Sequence, residues 1–281
     1  MNAKKKKIVI TGSTSGIGKE LCEYFSKENI VYAGYRNEKL VDGLKQISHN
    51  VIPFYIDMKI QNSIISASNF ISADAEHIDT LINAAGCVVA GAIENLEIKR
   101  IKEQFEVNTF GHLDFTQRLL PVLDGSKIIN ISSMAGFGIF PFIGPYCASK
   151  RALDILFNSI MLETHKNIKI ISVKPGVIAT PLWGKSIAEN QTSLEDHKGF
   201  EKELNYMVNN ARKNETHGLN VMQVVKLIAE IDKNPHPKSS YTIGRDAKTA
   251  EVISKLPQDM INKLVKYAMR IRFSKIKTLI P

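Results

Sequence analysis

The run KKKIVIT at 5–11 passes directly into TGSTSGIG at 11–18. Apolar groups then recur at helical spacing, at Ile17, Leu21, Tyr24 and Phe25. A buried strand, a glycine turn and a helix in that order restrict the fold more than any other feature of the chain. The spacing Gly12, Gly16, Gly18 lets the backbone bend tightly and lets an anion approach it. The helix N-terminus behind it presents free N–H groups and partial positive charge to a phosphate. The turn is not a Walker loop. Counting back from Gly18-Lys19, the first glycine of that motif falls on Ser13, and its magnesium-binding hydroxyl falls on Glu20.

The same alternation continues. NIVYAGYR, NVIPFYID, HIDTLINAAG, GSKIINISS and NIKIISVKPG read as strands, with helical stretches between them. A long helix is expected from about Glu97 to Leu123, and another from Tyr146 to about His165. Repeated βαβ order over some 170 residues predicts an α/β fold, a doubly wound parallel sheet with helices on both faces. No linker divides the chain, so one domain is expected, with its core at about 5–180 and 217–245. Residues 182–215, polar and helix-prone, read as a lid-like excursion, and about 257–281 as a basic helical tail. YTIG at 241–244 reads as the last strand.

The net charge of +9 is concentrated at the ends. Lys4 to Lys7 supply four positive charges, and Met260 to Pro281 supply six with no acid among them. The body between is nearly neutral, which excludes a nucleic-acid-binding face and suggests solvated ends. Cys22, Cys87 and Cys147 stand apart with no CxxC, the pattern of reduced thiols in a cytoplasmic protein. No His, Cys, Asp and Glu cluster suggests a metal site.

Two further constellations carry chemistry. At the end of the second strand, where an acid would bind the adenosine ribose, stand Tyr35 and Arg36. A guanidinium suits a 2′-phosphate, so NADP(H) is favoured, with NAD(H) the alternative. Further on, Ser133 lies thirteen residues before Tyr146, and Tyr146 four before Lys150. On a helix Tyr146 and Lys150 share a face. An ammonium there is expected to lower the phenol's pKa and make it an acid–base group. Ser133, at a strand end, would polarise a reacting oxygen.

TGSTSGIG, NAAG at 83–86, Asn108 within VNTFG, the Ser133, Tyr146 and Lys150 set, and PGVIAT at 175–180 occur in the order of one family. Together they resemble a short-chain dehydrogenase/reductase with a Rossmann-type sheet, over about residues 8–180. The resemblance implies roles. Tyr146 would exchange a proton with the substrate oxygen, and Lys150 would also hold the nicotinamide ribose. Asn108 would interrupt its helix and anchor a proton-relay water. Gly12, Ser15, Gly16, Ile17 and Gly18 would line the pyrophosphate turn, with Arg36 at the adenosine. Asp57 would face the adenine, with Met58 beside it. Asn83, Ala84 and Gly86 would flank the adenosine and central strand. Pro175, Gly176, Ile178 and Thr180 would surround the nicotinamide.

In this family the segment at 134–145 and the lid build the substrate pocket. Here they contribute Phe137, Phe140, Phe142 and Trp183 as expected lining. No cation stands placed to clamp a carboxylate, so a lipophilic ketone, aldehyde or alcohol is expected. YTIGRDAK and the following Leu256-Pro257 resemble the tail of the retinol and 17β-hydroxysteroid dehydrogenase-like subgroup. The family implies a homodimer or homotetramer. The tail places Ile261, Leu264, Val265 and Ala268 on one face of a basic helix, which allows a peripheral membrane contact. Two other readings remain open: an NAD-linked alcohol or hydroxy-acid dehydrogenase, and a non-catalytic NADP(H)-binding sensor.

Overall fold

The computed structural model describes the backbone of residues 5–195 and 199–274, and side chains over 5–189 and 199–270. Seven strands form one sheet, joined throughout by parallel pairing. They are β1 (Lys7–Ile10), β2 (Ile30–Tyr35), β3 (Val51–Tyr55), β4 (Thr80–Asn83), β5 (Lys127–Ile131), β6 (Lys169–Pro175) and β7 (Ser240–Ile243). Their order across the sheet is β3-β2-β1-β4-β5-β6-β7. The direction of winding reverses between β1 and β4, where Ile8 pairs with Thr80 and Ile10 with Ile82. A crevice opens at such a reversal, beyond the C-terminal ends of the strands.

Strands covered on both faces read as continuous apolar runs, and successive side chains alternate between the faces. Ile8, Ile10, Ile82, Ile129, Ile171 and Val173 enter one core, closed by α1 (Gly16–Phe25) and α9 (Val221–Lys233). Val9, Leu81, Ile128 and Ile170 enter the other. There Ile64 and Ile71 of α3 (Gln61–Asp74), Phe115 of α5 (Gly111–Leu119) and Phe157 of α6 (Gly144–Glu163) pack on them. The short α2 (Val41–Lys45) completes the β2–β3 connection.

The expected single helix over Glu97–Leu123 is segmented. α4 (Ile98–Phe105) gives way to a π-helical turn at Glu106–Phe110 before α5 begins. One extra residue widens the helix there, and Asn108 sits in the middle of the widened turn. The excursion at 182–215 is also more regular than its polar sequence suggests. It comprises two helices, α7 (Leu182–Glu195) and α8 (Glu201–His217). After β7 come α10 (Arg245–Ile253) and α11 (Gln258–Ser274). Of the expected apolar face of α11, Ile261 is buried, while Leu264 and Ala268 are exposed. The rest of the basic tail, 275–281, lies outside the described residues.

The N-terminal lysines are not simply solvated. Lys6 Nζ sits 2.7 Å from the carboxylate of Asp232, near the end of α9. Asp232 is buried and also accepts from Thr80 Oγ1 of β4 at 2.5 Å. Lys127 of β5 donates to the Asp232 carbonyl. Lys5 donates to Asn50 at 2.8 Å. The N-terminal edge of the sheet is thus clamped by one acid from near residue 230, because a buried carboxylate needs charged and hydrogen-bonded partners.

Candidate active site

The crevice at the β1–β4 reversal is an open cleft with a void of about 280 Å³. At one end lies the glycine turn. Gly12 and Gly16 have φ of +70° and +54°, which side chains other than glycine's rarely adopt. A Cβ on Gly12 would lie 2.8 Å from Ala85 Cα, and one on Gly18 would lie 2.3 Å from the Gly12 carbonyl oxygen. The turn is therefore held against both the 84–86 segment and its own helix. Thr11 Oγ1 accepts from the N–H groups of Ala84 and Ala85 at 3.0 and 3.1 Å. α1 has no acid in its first turn and no side-chain cap on its N-terminus, so its first N–H groups remain available to an anion.

Gly12, Ser15, Gly16, Ile17, Gly18, Arg36, Asp57, Met58, Ala84 and Gly86 all line this cleft. Asn83 does not. It is buried in β4 and donates to Asn130 of β5 at 2.8 Å, so it ties strands together below the cleft. Asp57 is held by its own turn, accepting from the Lys59 N–H at 2.9 Å. At the opposite end, Pro175, Gly176, Ile178 and Thr180 line the cleft beyond β6. The Asp246 carboxylate accepts from Val177 N–H at 2.7 Å and pins this loop. That contact gives the YTIGRDAK segment a structural purpose.

Between the two ends stand Ser133, Tyr146 and Lys150. The Ser133 hydroxyl stands beside the Tyr146 phenol and accepts from Ala135 N–H at 3.1 Å. Lys150 Nζ lies 6.0 Å from the centre of the Tyr146 ring and donates to the Ile131 carbonyl at 2.8 Å. The expected lowering of the phenol pKa by Lys150 is not what this geometry gives. Burial pushes the phenol up to about 12, and the neighbouring Ser133 hydroxyl only opposes it. Burial likewise lowers Lys150 to about 8, with Asp154 pulling the other way. The nearby thiols are raised by burial, Cys87 to about 11 and Cys147 in the same direction, which leaves both protonated at neutral pH.

Asn108 does not reach the cleft. Its carboxamide oxygen accepts from Cys87 N–H at 2.9 Å, and its NH₂ donates to the Cys87 carbonyl and to Ser149 Oγ at 3.0 and 3.1 Å. The side chain is thus committed to holding the 86–88 segment against α6. Gln104 and His112 act beside it. Gln104 accepts from Val89 N–H at 2.6 Å, and His112 Nε2 bonds the Ala85 carbonyl at 2.9 Å. Burial lowers His112 to about 4, so it stays neutral. Sequence reasoning missed both. The four-residue spacing of Gln104, Asn108 and His112 was the available signal for one helical face.

Two of the four expected pocket side chains are misplaced. Phe140 and Trp183 line the cleft, with Met134, Ile143 and Leu182. The Trp183 indole N–H donates to the Ile178 carbonyl at 2.8 Å, which fixes its ring. Phe137 turns away and lies under the Lys174 ammonium, 4.9 Å from it. Phe142 has φ of 67° and packs edge-to-face on Phe200 of the lid connection, with centroids 5.9 Å apart. A short run of aromatics on an irregular loop carries no periodicity, so its sequence does not say which ring faces which way. Among the described residues no group of three metal-ligating side chains occurs, and no helix is long and apolar enough to cross a membrane.

The family model described as short chain dehydrogenase matches residues 6–191. The chain belongs to the short-chain dehydrogenase/reductase family. It is accordingly an NAD(P)-dependent oxidoreductase acting on alcohols and ketones. Among curated relatives, the 3-ketodihydrosphingosine reductase of Bacteroides thetaiotaomicron is 29% identical, over 95% of this chain and 97% of its own. The NADPH-dependent 3-dehydrocapnine reductase of Ornithobacterium rhinotracheale is 29% identical, over 63% of this chain and 67% of its own. A short-chain dehydrogenase structure from Streptomyces avermitilis superposes with a TM-score of 0.75 at 21% identity and covers 98% of each chain. Its likeness supports the single Rossmann-type fold.

The residues present fit a nicotinamide dinucleotide. The glycine cradle leaves no room for a Cβ at Gly12 or Gly18, and the uncapped α1 N-terminus faces it. The Ser132 hydroxyl, 3% exposed, lines the same cleft without a hydrogen-bond partner in the protein.

Proposed function

We propose that the protein is an NADP(H)-dependent reductase of lipophilic ketones or aldehydes. The reading is carried by one juxtaposition. Tyr146 faces a cleft end walled by Met134, Phe140, Ile143, Leu182 and Trp183, while Arg36 stands at the other end. An apolar wall with one polar trio favours a substrate that offers a carbonyl and otherwise hydrocarbon. The two relatives named above are reductases of 3-ketodihydrosphingosine and of 3-dehydrocapnine, and the second is named as NADPH-dependent. When bound, the dinucleotide supplies the hydride.

The chain's own groups do the rest. Gly12, Gly16, Ile17 and Gly18, with Ser15, seat the pyrophosphate, and Arg36 takes the 2′-phosphate. Asp57 and Met58 stand beside the adenine, and Ala84 and Gly86 flank the adenosine. Pro175, Gly176, Ile178 and Thr180 enclose the nicotinamide. Ser133 donates to the substrate oxygen. Tyr146, neutral because burial holds it near 12, gives its proton to that oxygen as negative charge develops there. Lys150 offsets the phenolate that remains.

Arg36→Asp is expected to lower the NADPH-to-NADH preference by about 10–100-fold, the worth of a charge-assisted phosphate contact. An unchanged ratio of kcat/KM values would refute the role of Arg36. A pH profile tests Lys150. Its folded pKa lies near 8, below the ordinary lysine value, so its charge is present below pH 8 and lost above it. kcat/KM for NADPH is expected to fall as pH rises through about 8. Lys150→Arg should move that limb upward, and a limb that stays put would implicate another group.

We also propose a homodimer or homotetramer. Ile98 of α4 and Ile155 and Leu162 of α6 are 65%, 53% and 81% exposed, an apolar surface that assembly would cover. Light scattering should give a multiple of 31.4 kDa. On α11, exposed Leu264 and Tyr267 beside Lys263 and Lys266 support a peripheral contact with an anionic membrane surface. Flotation with vesicles containing acidic lipid checks it, with neutral vesicles as the contrast.

A further inference from the structure

Helix α7 crosses the mouth of the cleft and touches it in three places. Lys185 Nζ donates to Ser15 Oγ of the glycine turn at 2.9 Å. Ser186 Oγ donates to the Val88 carbonyl at 3.0 Å. One turn on, Glu189 brings its carboxylate to 4.0 Å from the Arg36 guanidinium, and its carbonyl accepts from Arg100 at 3.0 Å. Lys185 and Glu189 both line the cleft. The lid helix therefore places a cation at the glycine turn and an anion at Arg36.

The first placement is electrostatically incomplete, and the second is balanced by the protein alone. The Lys185 ammonium stands against the N-terminal end of α1, which already carries partial positive charge and has no acid in its first turn. An anion between them would satisfy both. At the other end, a polar recess adjoins the cleft, lined by Arg36, Lys59 and Arg100 against Asp57, Glu103 and Glu189. Its three cations and three carboxylates balance with no phosphate present. Asp57 accepts from its own turn, and Glu103 lies 3.6 Å from Arg100 of the same helix. Glu189 comes from α7 and stands 4.0 Å from the guanidinium that a 2′-phosphate needs.

We propose that α7 is part of the dinucleotide site. Lys185 clamps the pyrophosphate from the lid side, and Glu189 stands in for the 2′-phosphate at Arg36, weakening NADP(H) relative to NAD(H). The proposal rests on the reading that the pyrophosphate lies at the glycine turn and the 2′-phosphate at Arg36. A bound 2′-phosphate displaces Glu189, so the lid's hold on the adenosine end passes from protein to cofactor.

The test is binding without turnover. NADPH and NADH are titrated into wild type, Lys185→Met and Glu189→Gln, with the nicotinamide fluorescence as readout. Both side chains are exposed on a surface helix, and thermal melting confirms that the variants fold. Lys185→Met is expected to weaken NADPH and NADH alike, by about three- to tenfold, since they share the pyrophosphate. Glu189→Gln is expected to tighten NADPH by about three- to tenfold and leave NADH within about twofold. Unchanged affinities in the Lys185 variant, or an equal shift of both cofactors in the Glu189 variant, overturn the proposal. A wild type that binds NADH more tightly than NADPH, with Arg36→Asp having no effect, would instead sink the reading of Arg36.

Discussion

Replacing Tyr146 with Phe is expected to reduce kcat by about 10²–10⁴-fold, the usual worth of a positioned general acid. The substitution removes one oxygen and keeps the ring packed between Ser133 and Lys150. NADPH affinity should therefore stay close to wild type, and the loss should appear in kcat. The measurement is NADPH oxidation with a panel of retinals, steroid ketones, aliphatic ketones, aldehydes and small keto acids. Turnover of apolar carbonyls by wild type and not by the variant supports both the reaction and the pocket. Equal turnover by the two proteins would remove Tyr146 from the chemistry. A preference for the keto acids would remove the apolar pocket from the account.

The second large effect is expected at Gly18. An added methyl group would meet the Gly12 carbonyl oxygen at 2.3 Å and its carbon at 2.8 Å. Those atoms are backbone, and they belong to the turn that must seat the pyrophosphate. They cannot swing aside as a flexible side chain would. Overpacking of this kind costs about 1–3 kcal/mol, which in a domain of this size lowers Tm by roughly 2–10 °C. Gly18→Ala should also weaken NADPH binding more than tenfold, because the first N–H groups of α1 move with the turn. Calorimetric melting and titration read the two effects separately. A Gly18→Ala protein that melts and binds like wild type would show that the turn has slack which the structure denies it.

The frame was legible because parallel strands buried on both faces must be apolar throughout. Ile8 to Ile10, Leu81 and Ile82, and Ile128 and Ile129 show this directly in the sequence. The glycine turn was legible because close backbone approach leaves only one residue type. Ser133, Tyr146 and Lys150 were legible as a spacing, and the structure brings them together at one place. Their electrostatics were not legible. Spacing says that Lys150 is near Tyr146, whereas the sign of the phenol's shift depends on burial, which spacing does not encode. Asn108 was placed in a helix, yet its partners, Cys87 and Ser149, lie 21 and 41 residues away. Phe137 and Phe142 misled because an irregular loop has no period by which to orient a ring. The reach of α7 was hidden for another reason. Lys185 and Glu189 look like ordinary solvated charges until α7 is seen to reach the glycine turn and Arg36.

The clamp at Asp232 bears on how the chain acquires its shape. Lys6, Thr80 and Lys127 wait for a single acid that follows them by 226, 152 and 105 residues. A ribosome emits these three groups long before it emits their partner. Through most of synthesis, these three donors lack the residue that joins them at the base of the sheet. Partners so distant in sequence slow the search for the native state, because chain ends must meet before the contact repays the cost. Folding of the sheet is thus coupled to arrival of α9, and a fragment ending before residue 232 is expected to remain open and prone to associate.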